Sequence, residues 1–145
     1  MTAGIRAQLA ALLIIMSIPA EYADILSSKS FWHIATIGTN GNPQSSPVWV
    51  GYDGTNVRFS LTRGRQKFRN LTANPNLALS AQDPQNPYRY LEVRGKVVAM
   101  ETDVDNAFID SMAKKYMDLD EYPFHQPGDE RVIVIVEPGK TSSMG

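Results

Sequence analysis

NVRFSLTRGRQKFRNL, residues 56–71, changes its period halfway along. Val57, Phe59 and Leu61 alternate with Arg58, Ser60 and Thr62, the period of two that marks a half-buried strand. From Gly64 to about Ala73 the spacing becomes helical, with Phe68 and Leu71 facing the core. Lys67 flanks that apolar face on one side and Arg65 on the other, and Arg69 follows one turn beyond Arg65. Four basic side chains (Arg63, Arg65, Lys67, Arg69) thus fall within seven positions of a chain whose formal net charge is only −1. A helix that starts directly after a strand presents unpaired N–H groups and the positive end of its dipole, so an anion is stabilised there. Gly64 is expected to let the turn adopt a backbone angle that other residues resist and to let an anion approach the main chain closely. Thr62 adds a hydroxyl, Lys67 anchors from beside the protein body, and Arg63 is placed to curl over the anion from the turn. The stretch lacks the GxxxxGK[ST] spacing of a P-loop.

Working outward, the same period of two recurs. FWHIATIGT (31–39) and QSSPVWVGYD (44–53) flank Asn40-Gly41, a strong hairpin signal. Pro47 belongs at an edge or a bulge, because proline cannot donate to a ladder. LALSAQD (77–83) is a further strand, YRYLEVRGKVVAMET (88–102) a long one bent at Gly95, and RVIVIVEP (131–138) a buried one. A second helix over Val104–Met117 sets Ala107, Phe108, Met112 and Tyr116 along one stripe, and residues 118–129 form an irregular loop. Six short strands with tight hairpins and small helices predict a mainly β fold, an antiparallel barrel, and no doubly wound sheet.

Composition narrows the function. With 145 residues, 43% apolar and 20% charged, the chain is one globular domain. The absence of cysteine excludes disulfides, thiol catalysis and cysteine-bound metals, and fits a reducing cytoplasm. Balanced charge argues against nucleic acid and anionic membranes as partners. Residues 1–16, with Arg6 ahead of an apolar run, loosely resemble a secretory signal but are too short to span a bilayer. Cleavage near Ala20 would cut into the helix signal SIPAEYADIL, so 1–16 are expected to be an extension before a domain over 17–145. His33 and His125 are isolated, Ser60 and Ser80 lie in no GxSxG context, and the acids Asp103, Asp105, Asp110, Asp118, Asp120 and Glu121 lack the EF-hand pattern. Helix capping and solvation account for those acids, and no metal site is expected.

GNPQSSPVW (41–49), RGRQKFRNLTANP (63–75), NPYRYLEVRG (86–95) and RVIVIVEPGK (131–140) occur in an ordered series. Over roughly residues 18 to 144 the chain resembles the pyridoxamine 5′-phosphate oxidase-like split β-barrel proteins, and among them the F420-dependent reductases. The resemblance implies a six-stranded antiparallel split β-barrel, a homodimer with sites at the interface, and a cytoplasmic oxidoreductase. Its cofactor is then the deazaflavin F420, with FMN as the alternative, and its partner a conjugated small-molecule acceptor, whose choice the loop over 118–129, with Tyr122, Pro123 and Phe124, is expected to shape. Lys67 matches the phosphate-binding lysine, with Thr62, Arg63, Gly64 and Arg65 around the phosphate or tail. Gln44, Ser45, Ser46 and Pro47 match the strand along the ring, with Trp49 nearby. Tyr88, Arg89 and Tyr90 match a segment that closes the pocket from the partner chain. The arginine surplus favours F420, whose polyglutamate tail carries further negative charge. A non-catalytic barrel for a cofactor or a tetrapyrrole is the other reading.

Overall fold

The alternation in residues 57–62 becomes the burial pattern of a strand. Val57, Phe59 and Leu61 are buried, while Arg58, Ser60 and Thr62 are half-buried on the opposite face. The computed structural model describes residues 17–145, so the expected extension over 1–16 lies outside the described residues. A single 3-10 turn, Ala20–Tyr22, leads into α1 (Ala23–Ser27). There follow β1 (Trp32–Ile37), β2 (Pro43–Val48), β3 (Val50–Tyr52) and β4 (Val57–Thr62). Next come α2 (Gln66–Ala73), β5 (Asn76–Asp83), β6 (Asn86–Thr102), α3 (Ala107–Met117) and β7 (Arg131–Met144).

The strands form one sheet in the order β2-β1-β5-β6-β7-β4-β3, and every neighbouring pair is antiparallel. Its inner face carries Trp32, Ile34, Phe59, Leu79, Leu91 and Val134, each at most 1% exposed. Each contributes roughly 1.5–3 kcal/mol by leaving water. Ile25 and Leu26 of α1 cap that core and are fully buried.

The strand expected over 44–53 is two strands, and the count is seven instead of six. β2 pairs with β1 at one edge of the sheet, and β3 pairs with β4 at the other. The chain passes between these edges through Trp49 alone. The sheet therefore curls until its two ends are joined by a covalent corner, which is what makes the barrel split. Local pattern carried no sign of the break, because VWVGY is good strand sequence throughout and the closure is set by distant pairings. Pro47 lies on the edge strand β2, as expected of a residue without an N–H donor.

Gly95 does mark a bend. A Cβ there would meet Glu137 O at 2.7 Å and Val136 Cγ1 at 2.8 Å, and the β6–β7 register shifts between Val93 and Gly95. Both strands run further than expected, pairing from Thr102↔Val132 to Tyr90↔Met144. The helix placed over Val104–Met117 opens with a 3-10 turn, Val104–Asn106, before α3 begins. Asp103 caps α3: its carboxylate accepts from the N–H groups of Phe108 at 2.8 Å and Ile109 at 2.9 Å.

Candidate functional site

Where β2 and β4 face each other across the split, a cavity of about 530 Å³ opens, inside the ~300–1,000 Å³ range of small-molecule and cofactor sites. Gln44, Ser46 and Pro47 line it from β2, and Ser60 and Thr62 from β4. Lys67 on α2 is 8% exposed, and its Nζ donates to Ser46 Oγ at 2.5 Å. No carboxylate pairs with it among the described residues. Burial pushes the Lys67 ammonium below the usual lysine range, and the Arg65 charge adds to the effect. A buried, unneutralised cation in a cavity wall is a standing energetic penalty, relieved when an anion binds.

Arg65 is the N-cap residue of α2 and also lines the cavity. No side chain caps this helix; Phe68 and Arg69 donate to Arg65 O, which leaves the N–H groups of Gln66 and Lys67 for a ligand. The turn before it is braced by Arg69, which donates to Gly64 O at 3.1 Å and to Gln66 Oε1 at 2.7 Å. Gln66 Nε2 donates to Asn70 Oδ1 at 2.8 Å, and Asn70 Nδ2 to Thr36 Oγ1 at 3.0 Å. Asn70 and Thr36 are both buried, so this chain of bonds pins α2 against β1. Gly64 itself is not in the left-handed region, and a Cβ there would meet nothing within 4 Å. Its freedom of backbone is therefore unused.

Seven of the residues named from sequence line this one cavity: Gln44, Ser46, Pro47 and Trp49 on one side, Thr62, Arg65 and Lys67 on the other. Ser45 is exposed on the other face of β2. Arg63 turns away, its Nε 3.6 Å from Glu130 Oε2 and its guanidinium over the Phe68 ring at 5.6 Å. Within one chain Tyr88 and Tyr90 lie elsewhere. Tyr88 is 77% exposed. Tyr90 lines a second cavity of about 450 Å³ beside His33 and Glu92. Arg89 ties the β6 end to the N-terminal helices, 2.8 Å from Asp24 and 3.0 Å from Asp83.

Apart from the loop over 118–129, sequence pattern missed the far side of the cavity. Ile109 and Met112 of α3, and Tyr122 and Phe124 of the loop that follows, close over it. Trp49 stacks on Tyr116 with centroids 5.2 Å apart and meets the edge of Tyr122 at 5.9 Å. Tyr116 is fixed in turn, donating to Ser30 O at 2.7 Å and accepting from Val50 N. Arg131 lines the cavity as well, donating to Ser60 Oγ at 3.2 Å. Only the crowding of aromatics at 122–124 hinted at this wall. The remaining acids serve structure: Asp110 accepts from the Tyr122 N–H, and Asp118 pairs with Lys114.

A phosphate-bearing tricyclic cofactor suits this donor set. Lys67, Arg65 and Thr62 offer charge and hydroxyl to the same cavity, and Gln44 Oε1 is buried in its wall with no hydrogen-bond partner among the described residues. An orphaned buried acceptor of that kind is satisfied by a ring N–H.

Comparison with known proteins agrees with this geometry. Residues 18–144 match the family model described as pyridoxamine 5′-phosphate oxidase. A solved F420 reductase is similar at 40% identity, with 86% of this chain and 98% of that one aligned and a TM-score of 0.78. A conserved hypothetical protein, Rv2991 from Mycobacterium tuberculosis, shares the fold at 23% identity, 87% and 83% coverage and a TM-score of 0.69. General Stress Protein 26 from Bacillus anthracis str. Sterne shares it at 18% identity, 86% and 91% coverage and a TM-score of 0.63. No curated protein matches the chain. With a split barrel, a basic turn at the mouth of its cavity and a family match over 18–144, the chain belongs to the pyridoxamine 5′-phosphate oxidase-like family, in the group that includes the F420 reductase.

Proposed function

We propose that this protein is an F420-dependent oxidoreductase that transfers a hydride between reduced F420 and a conjugated small-molecule acceptor. It works in the cytoplasm as a homodimer whose sites are completed by the partner chain. The observation that carries the reading is Lys67, a buried ammonium in the cavity wall with a serine hydroxyl and no carboxylate for company. Kinship with an F420 reductase at 40% identity supports the choice of cofactor.

When bound, the deazaflavin would supply the hydride chemistry, so an acid–base or nucleophile constellation is not required of the described residues. The chain's own residues bind, orient and exclude water. Lys67, Arg65 and Thr62 hold the phosphate. Gln44 Oε1 accepts from the ring edge and fixes its rotation in the cavity. Trp49, Tyr122 and Phe124 cover the acceptor side and keep water from the reacting atoms. FMN is the second reading, since the family model is that of an FMN-type phosphate barrel and one phosphate anchor serves either cofactor.

Titrating F420 and FMN separately against tryptophan fluorescence tests the assignment, because Trp49 lines the cavity while Trp32 is sealed in the core. F420 is expected to bind in the micromolar range or tighter and to support turnover of quinones or enones. Micromolar binding of FMN with none of F420 would falsify the reading. Lys67→Ala is expected to lose ~1–3 kcal/mol of cofactor affinity, the worth of a charge-assisted contact.

A further inference from the structure

Arg131 stands at the start of β7, opposite Thr62 in the β4–β7 register, yet its side chain reaches back along β4 to Ser60. That side chain is 10% exposed, nine-tenths buried. Of the five N–H bonds of a guanidinium, one is used, the bond to Ser60 Oγ at 3.2 Å. Nε has no partner among the described residues. The Asp129 carboxylate is 4.0 Å away and already accepts from the Gln126 N–H, so it neutralises Arg131 only in part. The guanidinium lies over the Tyr122 ring at 4.5 Å. Tyr122 meets Phe124 edge-on at 5.6 Å and Trp49 edge-on at 5.9 Å. Arg131, Ser60 and all three rings line the same cavity as Lys67. Lys67, however, is bonded to the β2 wall and Arg131 to the β4 wall.

The two cations have different hydroxyl partners, Ser46 for Lys67 and Ser60 for Arg131, so each can take its own anionic group. One is the cofactor phosphate already assigned to Lys67. We infer that Arg131 with Tyr122, Phe124 and Trp49 forms the acceptor subsite, built for a planar conjugated carbonyl compound whose oxygen becomes negative as it is reduced. Three aromatic side chains fit a flat conjugated body, and an under-used guanidinium in a low-dielectric wall stabilises charge developing on its oxygen. The step balances: a hydride from the reduced deazaflavin forms a C–H bond at the electron-poor carbon. The C=C pair shifts to form the enolate double bond, the C=O π pair moves onto the oxygen beside Arg131, and a proton from solvent completes the two-electron reduction, leaving the deazaflavin oxidised. Arg131 is thereby a residue that selects acceptors by their oxygen.

The assignment rests on the proposed reductase activity but is tested apart from it. A planar phenolate mimics the enolate that the step produces, so calorimetric titration of the protein with 4-nitrophenolate is compared with nitrobenzene, the same plane without the oxygen. The protein is expected to prefer the phenolate by ~10-fold or more, the effect of one charge-assisted hydrogen bond. Arg131→Gln is expected to abolish that preference while still binding nitrobenzene and melting cooperatively. Should the Gln protein fail to fold, Arg131→Lys decides. A point charge in place of the planar fork must lose at least half of the preference. Preference undiminished in whichever variant folds overturns the inference, as does displacement of the phenolate by inorganic phosphate, which would seat it at Lys67. Absence of hydride transfer to any acceptor, with the Arg131-dependent preference intact, would remove the proposed reaction and leave the subsite standing.

Discussion

Two lysines of this chain are held away from water, and each illustrates how one residue trades stability for position. Lys67 has a single hydroxyl partner in the cavity wall. Lys115 donates to two main-chain carbonyls, Leu26 O and Val50 O, each at 2.7 Å, and burial lowers its pKa to about 8. Between about 8 and the ordinary lysine value of 10.5, the unfolded chain carries a proton on Lys115 that the folded chain has released. The unfolded state binds more protons there, so stability rises with pH across that window and falls as pH drops through about 8. The neutral amine keeps two N–H bonds, enough for both carbonyls. Urea denaturation from pH 7 upward is therefore expected to show a midpoint that climbs through this window, and Lys115→Met is expected to flatten the climb. For Lys67 the trade is with binding: Lys67→Met is expected to stabilise the empty protein by ~1 kcal/mol while weakening phosphate binding. A thermal melt paired with a phosphate titration checks both, and a destabilised variant would contradict the burial argument. Lys67 was legible in sequence because the helical wheel fixes its side of α2. Arg63 was not, since its direction is decided by Glu130 and Thr102, remote in sequence. Of the two reasons for a glycine at 64, the special backbone angle is not used, while the open space beside it is what close approach of an anion needs.

At the scale of elements, the cavity depends on how α2 is pinned. The relay from Arg69 through Gln66 and Asn70 to Thr36 places the helix start against β1, and the Lys67–Ser46 bond places it against β2. Asn70→Ala leaves the fully buried Thr36 hydroxyl without its partner and is expected to cost ~1–3 kcal/mol of stability. It should also weaken phosphate binding, since Lys67 sits on the loosened helix. A melting curve together with inorganic phosphate affinity reads both, and loss of affinity with no loss of stability would show that α2 is positioned by something else. The strand–turn–helix order around Lys67 was readable because both periods are local. The division of residues 44–53 into β2 and β3 was not, because Trp49 becomes a corner only when β1 and β4 are already at opposite ends of the sheet. The aromatic wall was hidden for a related reason: Tyr122 and Phe124 belong to a loop without regular period, and Tyr122, edge-on to Phe124, meets Trp49 only across the closed barrel.

On the scale of the whole molecule, several large apolar side chains stand exposed: Tyr88 at 77%, Val104 at 69%, Phe31 at 60% and Met144 at 50%. Tyr88 and Tyr90 stand apart from the cavity of their own chain, so a role for them in cofactor binding requires a second chain. The two properties, assembly and binding, should then fail together. Tyr88→Glu places a charge on the exposed apolar surface at the end of β6 without disturbing any buried contact. Sedimentation velocity is expected to show the unaltered protein as a dimer and Tyr88→Glu shifted toward monomer, with F420 affinity falling by ~10-fold or more in the same preparation. Dilution of the unaltered protein through its dimer dissociation range should weaken cofactor binding in parallel, because each site loses part of its wall. A monomer that binds F420 as tightly as the dimer would confine the site to the split between β2 and β4. Tyr90 would then belong to the second cavity alone.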